Sequence, residues 1–242
     1  MFKKLLVALL LGIAVYPAIS ADKIKTYIPR HEAMAAAAKV TTKVYPDADT
    51  VLVDDYEYIK YNADGTADCT DEMYEKILTE KGKRDNQEIS LWFTLPYHKV
   101  SVPLLEIIKP GGKVVKIDVA KNSKVMVDPS QMSMNIYNPN SKIMRISIPD
   151  LQIGDTIHVI WKRDTIQPRM KGIWCEWYTL QSTNPIVRYT VEINGPAKRP
   201  LKQYMVKDPV KGSMSFKQTK KGDRIVYRWT ARNVPRIFPE PD

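Results

Sequence analysis

The chain has 242 residues, 44% of them hydrophobic, with 37 Lys/Arg against 27 Asp/Glu and a formal charge of +10. That length suffices for one large β-domain or two small ones, and the text shows no internal repeat and no low-complexity stretch. Three histidines (31, 98 and 158) and two cysteines (69 and 175), with no CxxC and no Cys/His cluster, argue against a protein-built metal site.

The first residues set the compartment. Met1–Lys4 is basic, Leu5–Val15 is an unbroken apolar run, and small residues follow at Ala18, Ser20 and Ala21. This is the order of a secretory signal peptide, with cleavage expected after Ser20 or Ala21. The apolar run is short for the roughly 30 Å of a bilayer's hydrocarbon core, which disfavours the alternative of a retained anchor. Residues 1–21 are therefore read as a signal peptide, with no transmembrane segment left after cleavage. The mature protein is expected to be exported, periplasmic or extracellular. Without Lys3 and Lys4 the charge is +8, from 35 basic and 27 acidic residues. That surplus suits solubility, or an anionic partner.

Residues 22–45 form a separate N-terminal segment. HEAMAAAAKV (31–40) is alanine-rich and reads as one short helix without a strong amphipathic stripe. Pro46 then ends it. From there the text is strand. VLVDDYEYIKY (51–61) leads into ADGT (63–66), where Asp64-Gly65 is a strong hairpin signal, and a strand over about 67–79 follows. EISLWFTL (88–95), HKVSVPLLEIIK (98–109), KVVKIDVA (113–120) and KIMRISIP (142–149) each place alternate apolar residues on one face. DTIHVIWKR (155–163), IWCEWYTL (173–180), IVRYTVEIN (186–194) and DRIVYRWTAR (223–232) continue the pattern. Roughly a dozen antiparallel strands at hairpin spacing predict an all-β sandwich over residues 46–232. In LQIGD (151–155), Gly154 is suited to a positive φ and Asp155 to bonding nearby backbone N–H groups, so both are assigned a conformational role. Residues 233–242 carry Pro235, Pro239 and Pro241 and read as a linker towards a following domain.

Chemistry is hard to place. Cys175 is the better thiol candidate, with His158 and Asp155 or Asp164 on a nearby strand. It sits mid-strand between tryptophans, though, rather than on a loop or a helix start, so no catalytic residue is assigned. The two cysteines are compatible with a disulfide in an exported compartment, or with two small buried hydrophobes. Asp54-Asp55 with Glu57, and Asp71-Glu72, are the acidic clusters in strand-like text. Adjacent acids on a strand point to opposite faces, and these read as solvated or edge positions. No phosphate-binding glycine loop is present and no cofactor is expected. Trp161, Trp174, Trp177 and Tyr178 are the candidate binding residues. On 173–180, Cys175 and Trp177 point one way, Trp174 and Tyr178 the other. One pair packs inward; the other packs within a thick sandwich, docks a neighbouring domain or stacks on a ligand. The stretch 198–236 holds twelve Lys/Arg and two acids. It reads as a solvated face with edge-guarding lysines, or as a contact for an acidic domain or anionic glycolipid; nucleic acid does not fit an exported protein.

Five phrases in order carry a resemblance: KILTEKGKR (76–84), EIIKPGGKVVKI (106–117), IPDLQIGDTIHVIWKRDTIQP (148–168), WCEWYTLQSTNPIVRYTVEINGP (174–196) and the closing RWTARNVPRIFPEPD. Together they resemble the family called domain of unknown function 3857, over about residues 45–242. The resemblance implies an immunoglobulin-like β-sandwich exported by a bacterium. It implies a module that usually precedes a transglutaminase-like domain of the papain-type cysteine class. On that basis the chain is expected to support or position such a domain, in the same or a partner chain. The alternative is a stand-alone binding protein for an envelope glycan or peptide.

Overall fold

A computed structural model describes residues 24–133, 137–202 and 210–238. The leader-like residues 1–21, Pro239 and Pro241 lie outside them. The elements in chain order are α1 (Arg30–Lys39), β1 (Thr50–Tyr61), β2 (Ala67–Ile77), α2 (Glu80–Asp85), β3 (Glu88–Thr94), β4 (His98–Ile108), β5 (Val114–Lys116), α3 (Val119–Asn122), β6 (Ser123–Val127), β7 (Ser141–Ser147), β8 (Thr156–Thr165), β9 (Ile186–Pro196), β10 (Met214–Lys221) and β11 (Arg224–Val234).

The fold is all-β, in two sheets. One has eight strands in the order β10-β11-β9-β1-β2-β8-β4-β5, and the other three, β3-β7-β6. The small sheet packs over the β2-β8-β4 end of the large one. Leu91, Ile146 and Ile148 meet Leu105, Ile107, Ile157 and Val159 there in one apolar core. Over the β1-β9-β11 half, a second core of Ile59, Tyr189, Val191, Tyr227 and Trp229 is covered by Trp174, Tyr178 and Leu180. A third, around Val51, Val53 and Tyr74, receives α1 through Ala33 and Ala37. Those two alanines are one helical turn apart, which is all the stripe this helix needs to lie close on the sheet.

The Asp64-Gly65 turn behaves as its residues require. Gly65 has φ +93°, and Thr66 donates its backbone N–H to Asp64 Oδ1 at 2.9 Å. In β1 the alternation changes phase at a bulge between Leu52 and Asp54. Gly154 has φ +87°, and Asp155 Oδ2 accepts from Gln152 N and Lys109 Nζ, both at 2.7 Å. Their conformational role is as expected.

Three expectations are corrected. The sheet is not wholly antiparallel: β1 and β9 run parallel, from Leu52 opposite Ile186 to Lys60 opposite Asn194. The long crossing through residues 166–185 returns the chain to the end where β1 starts, and parallel neighbours need such a crossover. The strand expected over 113–120 stops at Lys116, because the Asp118 side chain accepts from Lys121 N at 3.3 Å and starts α3. Residues 173–180 belong to no ladder. Their burial alternates residue by residue, with Trp174 and Tyr178 inward.

Candidate functional site

The hairpin register places Glu57 opposite Asp71 and Tyr56 opposite Glu72. Asp54 and Glu72 therefore look towards α1, and Asp55, Glu57 and Asp71 towards the other face. The sequence reading made these acids solvated or edge positions. Instead β1 and β2 occupy the middle of the large sheet, and Asp54, Asp55, Glu57 and Glu72 are all buried.

On the helix side the acids meet cations. His158 on β8 is 1% exposed, with Nδ1 2.8 Å from Glu106 Oε1 and Nε2 3.1 Å from Glu72 Oε1. Tyr74 stacks on its ring at 3.9 Å between centroids. Glu72 Oε2 accepts the backbone N–H of Ile28 at 3.1 Å and that of Tyr27, and Arg30 pairs with Glu106. Burial opposes charging the imidazole, but hydrogen bonds to Glu106 and Glu72 outweigh it and hold the His158 pKa above its ordinary value. Burial likewise opposes charge on Glu106, yet His158 and Arg30 leave its pKa below the usual range. Beside this cluster Arg188 Nε bonds Asp54 at 2.8 and 2.9 Å, and the same guanidinium lies 3.4 Å from Glu32 on α1. Lys76 Nζ donates to Ala37 O at 2.8 Å. These contacts fasten residues 27–37 across the sheet. Their chemistry is that of a clamp.

On the opposite side the acids meet one another. Asp55 and Asp71 lie within hydrogen-bonding reach, and Tyr189 donates to Glu57 Oε2 at 2.9 Å. Burial first, then the Asp71 charge, pushes the Asp55 pKa well up and that of Glu57 up to about 8. Burial raises Asp71 to about 6 in spite of bonds from Asp55 and Trp161. Arg163 is the neighbouring cation, and it pairs with Glu176 at 2.9 Å.

The four aromatic candidates separate. Trp161 is half-buried against the core under the small sheet, where it reaches Asp71. Trp174 stacks on Tyr61 at 5.2 Å, and Tyr178 packs inward beside it. Trp177 is 92% exposed. Both cysteines are free thiols, Cys69 inside and Cys175 outside, because Cys69 faces the core from β2 while Cys175 lies on the outer edge of the alternating segment. Burial lifts the Cys69 thiol to about 12. The basic stretch also divides. Lys217, Lys220 and Lys221 line β10, the sheet's edge strand, whereas Arg228 pairs with Glu192 and Arg224 donates to Asn194 O at 2.7 Å. A cavity of about 310 Å³ opens where the chain leaves β11, between residues 44–48, Pro185, Ile186 and residues 233–238. Among the described residues no helix is long and apolar enough to cross a membrane.

The buried clusters escaped the sequence reading, although the signal was present. The tight turn at Asn62–Thr66 fixes which residues of the hairpin face each other, and facing acids on a central strand cannot be solvated.

Comparisons with known proteins agree with the fold. A candidate protease of Parabacteroides distasonis superposes with a TM-score of 0.63 at 17% identity, over 79% of this chain and 37% of that one. This chain thus spans well under half of that protein. An M1 zinc metallopeptidase of Deinococcus radiodurans (TM-score 0.35, 10% identity, 76% and 39% covered) is too distant to carry an argument. So is a family 3a carbohydrate-binding module of Clostridium thermocellum (TM-score 0.25, 12% identity, 46% and 73% covered). No curated protein matches the chain. The family described as a domain of unknown function with solved structure, DUF3857, matches residues 63–238, well over half of the sequence, and the chain belongs to that family.

Proposed function

We propose that the chain is an exported, non-catalytic β-sandwich module that supports or positions a transglutaminase-like, papain-type cysteine domain, in the same polypeptide or in a partner chain. The observation that carries this reading is where the reactive groups are spent. His158 holds carboxylates with both ring nitrogens inside the sheet, and His98 Nδ1 accepts the backbone N–H of Thr94 at 3.3 Å. His31 stands exposed on α1. Cys175 lies exposed on the outer side of the unpaired segment 173–180 rather than at a helix start, the usual place for an activated thiol. The shared fold makes up only 37% of the candidate protease, which fits a module within a larger design. The cavity beside residues 233–238, with Ile237 and Phe238 exposed at its rim, offers an apolar seat next to the expected linker.

The test uses the purified chain without its leader. Peptide hydrolysis and amine–glutamine crosslinking should both be absent, and Cys175 should alkylate at the rate of an ordinary exposed thiol. Turnover that disappears in Cys175→Ser would overturn the reading. The second reading, a stand-alone binder of an envelope glycan or peptide, is favoured by the exposure of Trp177. Saturable binding to envelope fragments, weakened by Trp177→Ala, would establish it instead.

A further inference from the structure

We propose that Asp55, Asp71 and Glu57 form a proton-binding site that governs how firmly the aromatic segment 173–180 is held on the sandwich. The argument starts from two oxygens. Asp55 Oδ1 and Asp71 Oδ1 are both buried, and neither meets a donor. The two carboxyl groups are nonetheless within hydrogen-bonding reach of each other. Two carboxylates cannot bond without a proton between them, so the pair binds at least one. Glu57, on the same face and opposite Asp71, adds a third carboxyl.

The groups facing the site come from every element around it. β1 contributes Asp55 and Glu57, and β2 contributes Asp71 and Cys69. β8 supplies Trp161 and Arg163, and β9 supplies the Tyr189 hydroxyl. Glu176 and Tyr178 come from the covering segment, and His98 of β4 lies near the Arg163–Glu176 pair. Asp54 and Glu72 act through the sheet from the helix side. Across all of these, Arg163 is the cation near the site on its own face, and its charge is already engaged by Glu176.

The site also lies at a seam. Met73 and Trp161 on one side belong to the core under the small sheet, and Cys69 and Tyr189 on the other belong to the core under residues 174–180. The small sheet is a hydrogen-bonded layer. The segment is not, and its inward donors Trp174 Nε1 and Tyr178 Oη are buried without partners. While the site is protonated it is neutral enough to stay dry. As pH rises, Asp71 and then Glu57 lose their protons, and buried like charges must be hydrated. Water enters where the cover is not laddered, so the segment loosens and Arg163 turns from Glu176 towards the new charge.

The experiment is a carbon-detected carboxyl titration of the chain, run with amide hydrogen exchange over residues 173–180 and corrected for intrinsic rates, from about pH 5 to pH 8.5. Glu57 is expected to titrate near 8, and protection of the segment to fall about tenfold relative to β1 and β2 over the same range. Asp71→Asn should abolish most of that fall; if that variant does not fold, Glu57→Gln serves. Ordinary carboxyl titrations below about pH 5 would overturn the site. A high Glu57 midpoint with unchanged protection of 173–180 would overturn the coupling.

Discussion

On the helix side of the β1–β2 hairpin, Glu72 meets His158 and Asp54 meets Arg188; on the other side, Asp55, Glu57 and Asp71 meet each other. The same two strands thus bury acids in two ways. One cluster is balanced by opposite charge and closed by hydrogen bonds; the other is balanced only by protons. The difference lies in what covers each face. α1 and the residues before it bring Arg30, Glu32 and backbone donors, whereas the segment 173–180 brings aromatic rings and one spoken-for ion pair. A balanced cluster fastens its cover at neutral pH, and a proton-balanced one fastens it only in acid.

The largest expected effect breaks the balanced side. Glu106→Ala removes the acceptor for both His158 Nδ1 and Arg30, leaving the buried imidazole with Glu72 alone. The expected loss is about 3–5 kcal/mol in urea unfolding, with exchange protection lost first over residues 27–37. Gly195→Ala tests the cover on the other side. A Cβ there would stand 2.0 Å from the Tyr61 ring, which stacks on Trp174. A loss of about 1–3 kcal/mol and a changed Trp174 emission are expected.

The pH profile sharpens the contrast. The raised His158 contributes stability that is full below its ordinary 6.5 and is lost as pH climbs through its folded value. The raised acids behave likewise from their ordinary 3.8 and 4.5 upward, until Glu57 has titrated near 8. Lowered Glu106 acts oppositely, and its contribution fades as pH falls below 4.5. Thermal unfolding should therefore occur at its highest temperature near pH 5 and decline towards pH 8.5. The stability of Asp71→Asn relative to the parent should rise by on the order of 1 kcal/mol between pH 5 and pH 8. The smallest effect belongs to Trp177→Ala. The side chain is 92% exposed, so folding stability should move by less than about 0.5 kcal/mol.

Most of the sheet was legible in the sequence. Alternation located nine of the strands well enough to set Val159, Tyr227 and Trp229 on the faces that prove to be buried, because a half-buried strand must alternate. The same rule set Trp174 and Tyr178 on the face opposite Cys175 and Trp177, but it left open which pair turns inward and misjudged their segment as a ladder strand. Alternation reports which side is covered, and backbone pairing is a separate matter. β6 and β10 went unseen, since Ser123–Val127 is short and both strands are largely exposed. The acids were misplaced for a related reason. A charged residue reads as solvated unless its partners are known, and the partners of Glu72 lie on β4, β8 and the N-terminal arm, far away in the chain.

Both clusters keep the reactive side chains inside the fold, and the exposed Trp177 and the cavity beside β11 are left to make contacts. The function proposed here thus resides in what the chain is joined to. Intact mass of the native protein, purified from its own cells with any bound chain, tests that most directly. The account predicts either a polypeptide heavier than the chain without residues 1–21 or a second bound chain carrying the cysteine domain. A mass equal to the leaderless chain, with nothing bound, would contradict it.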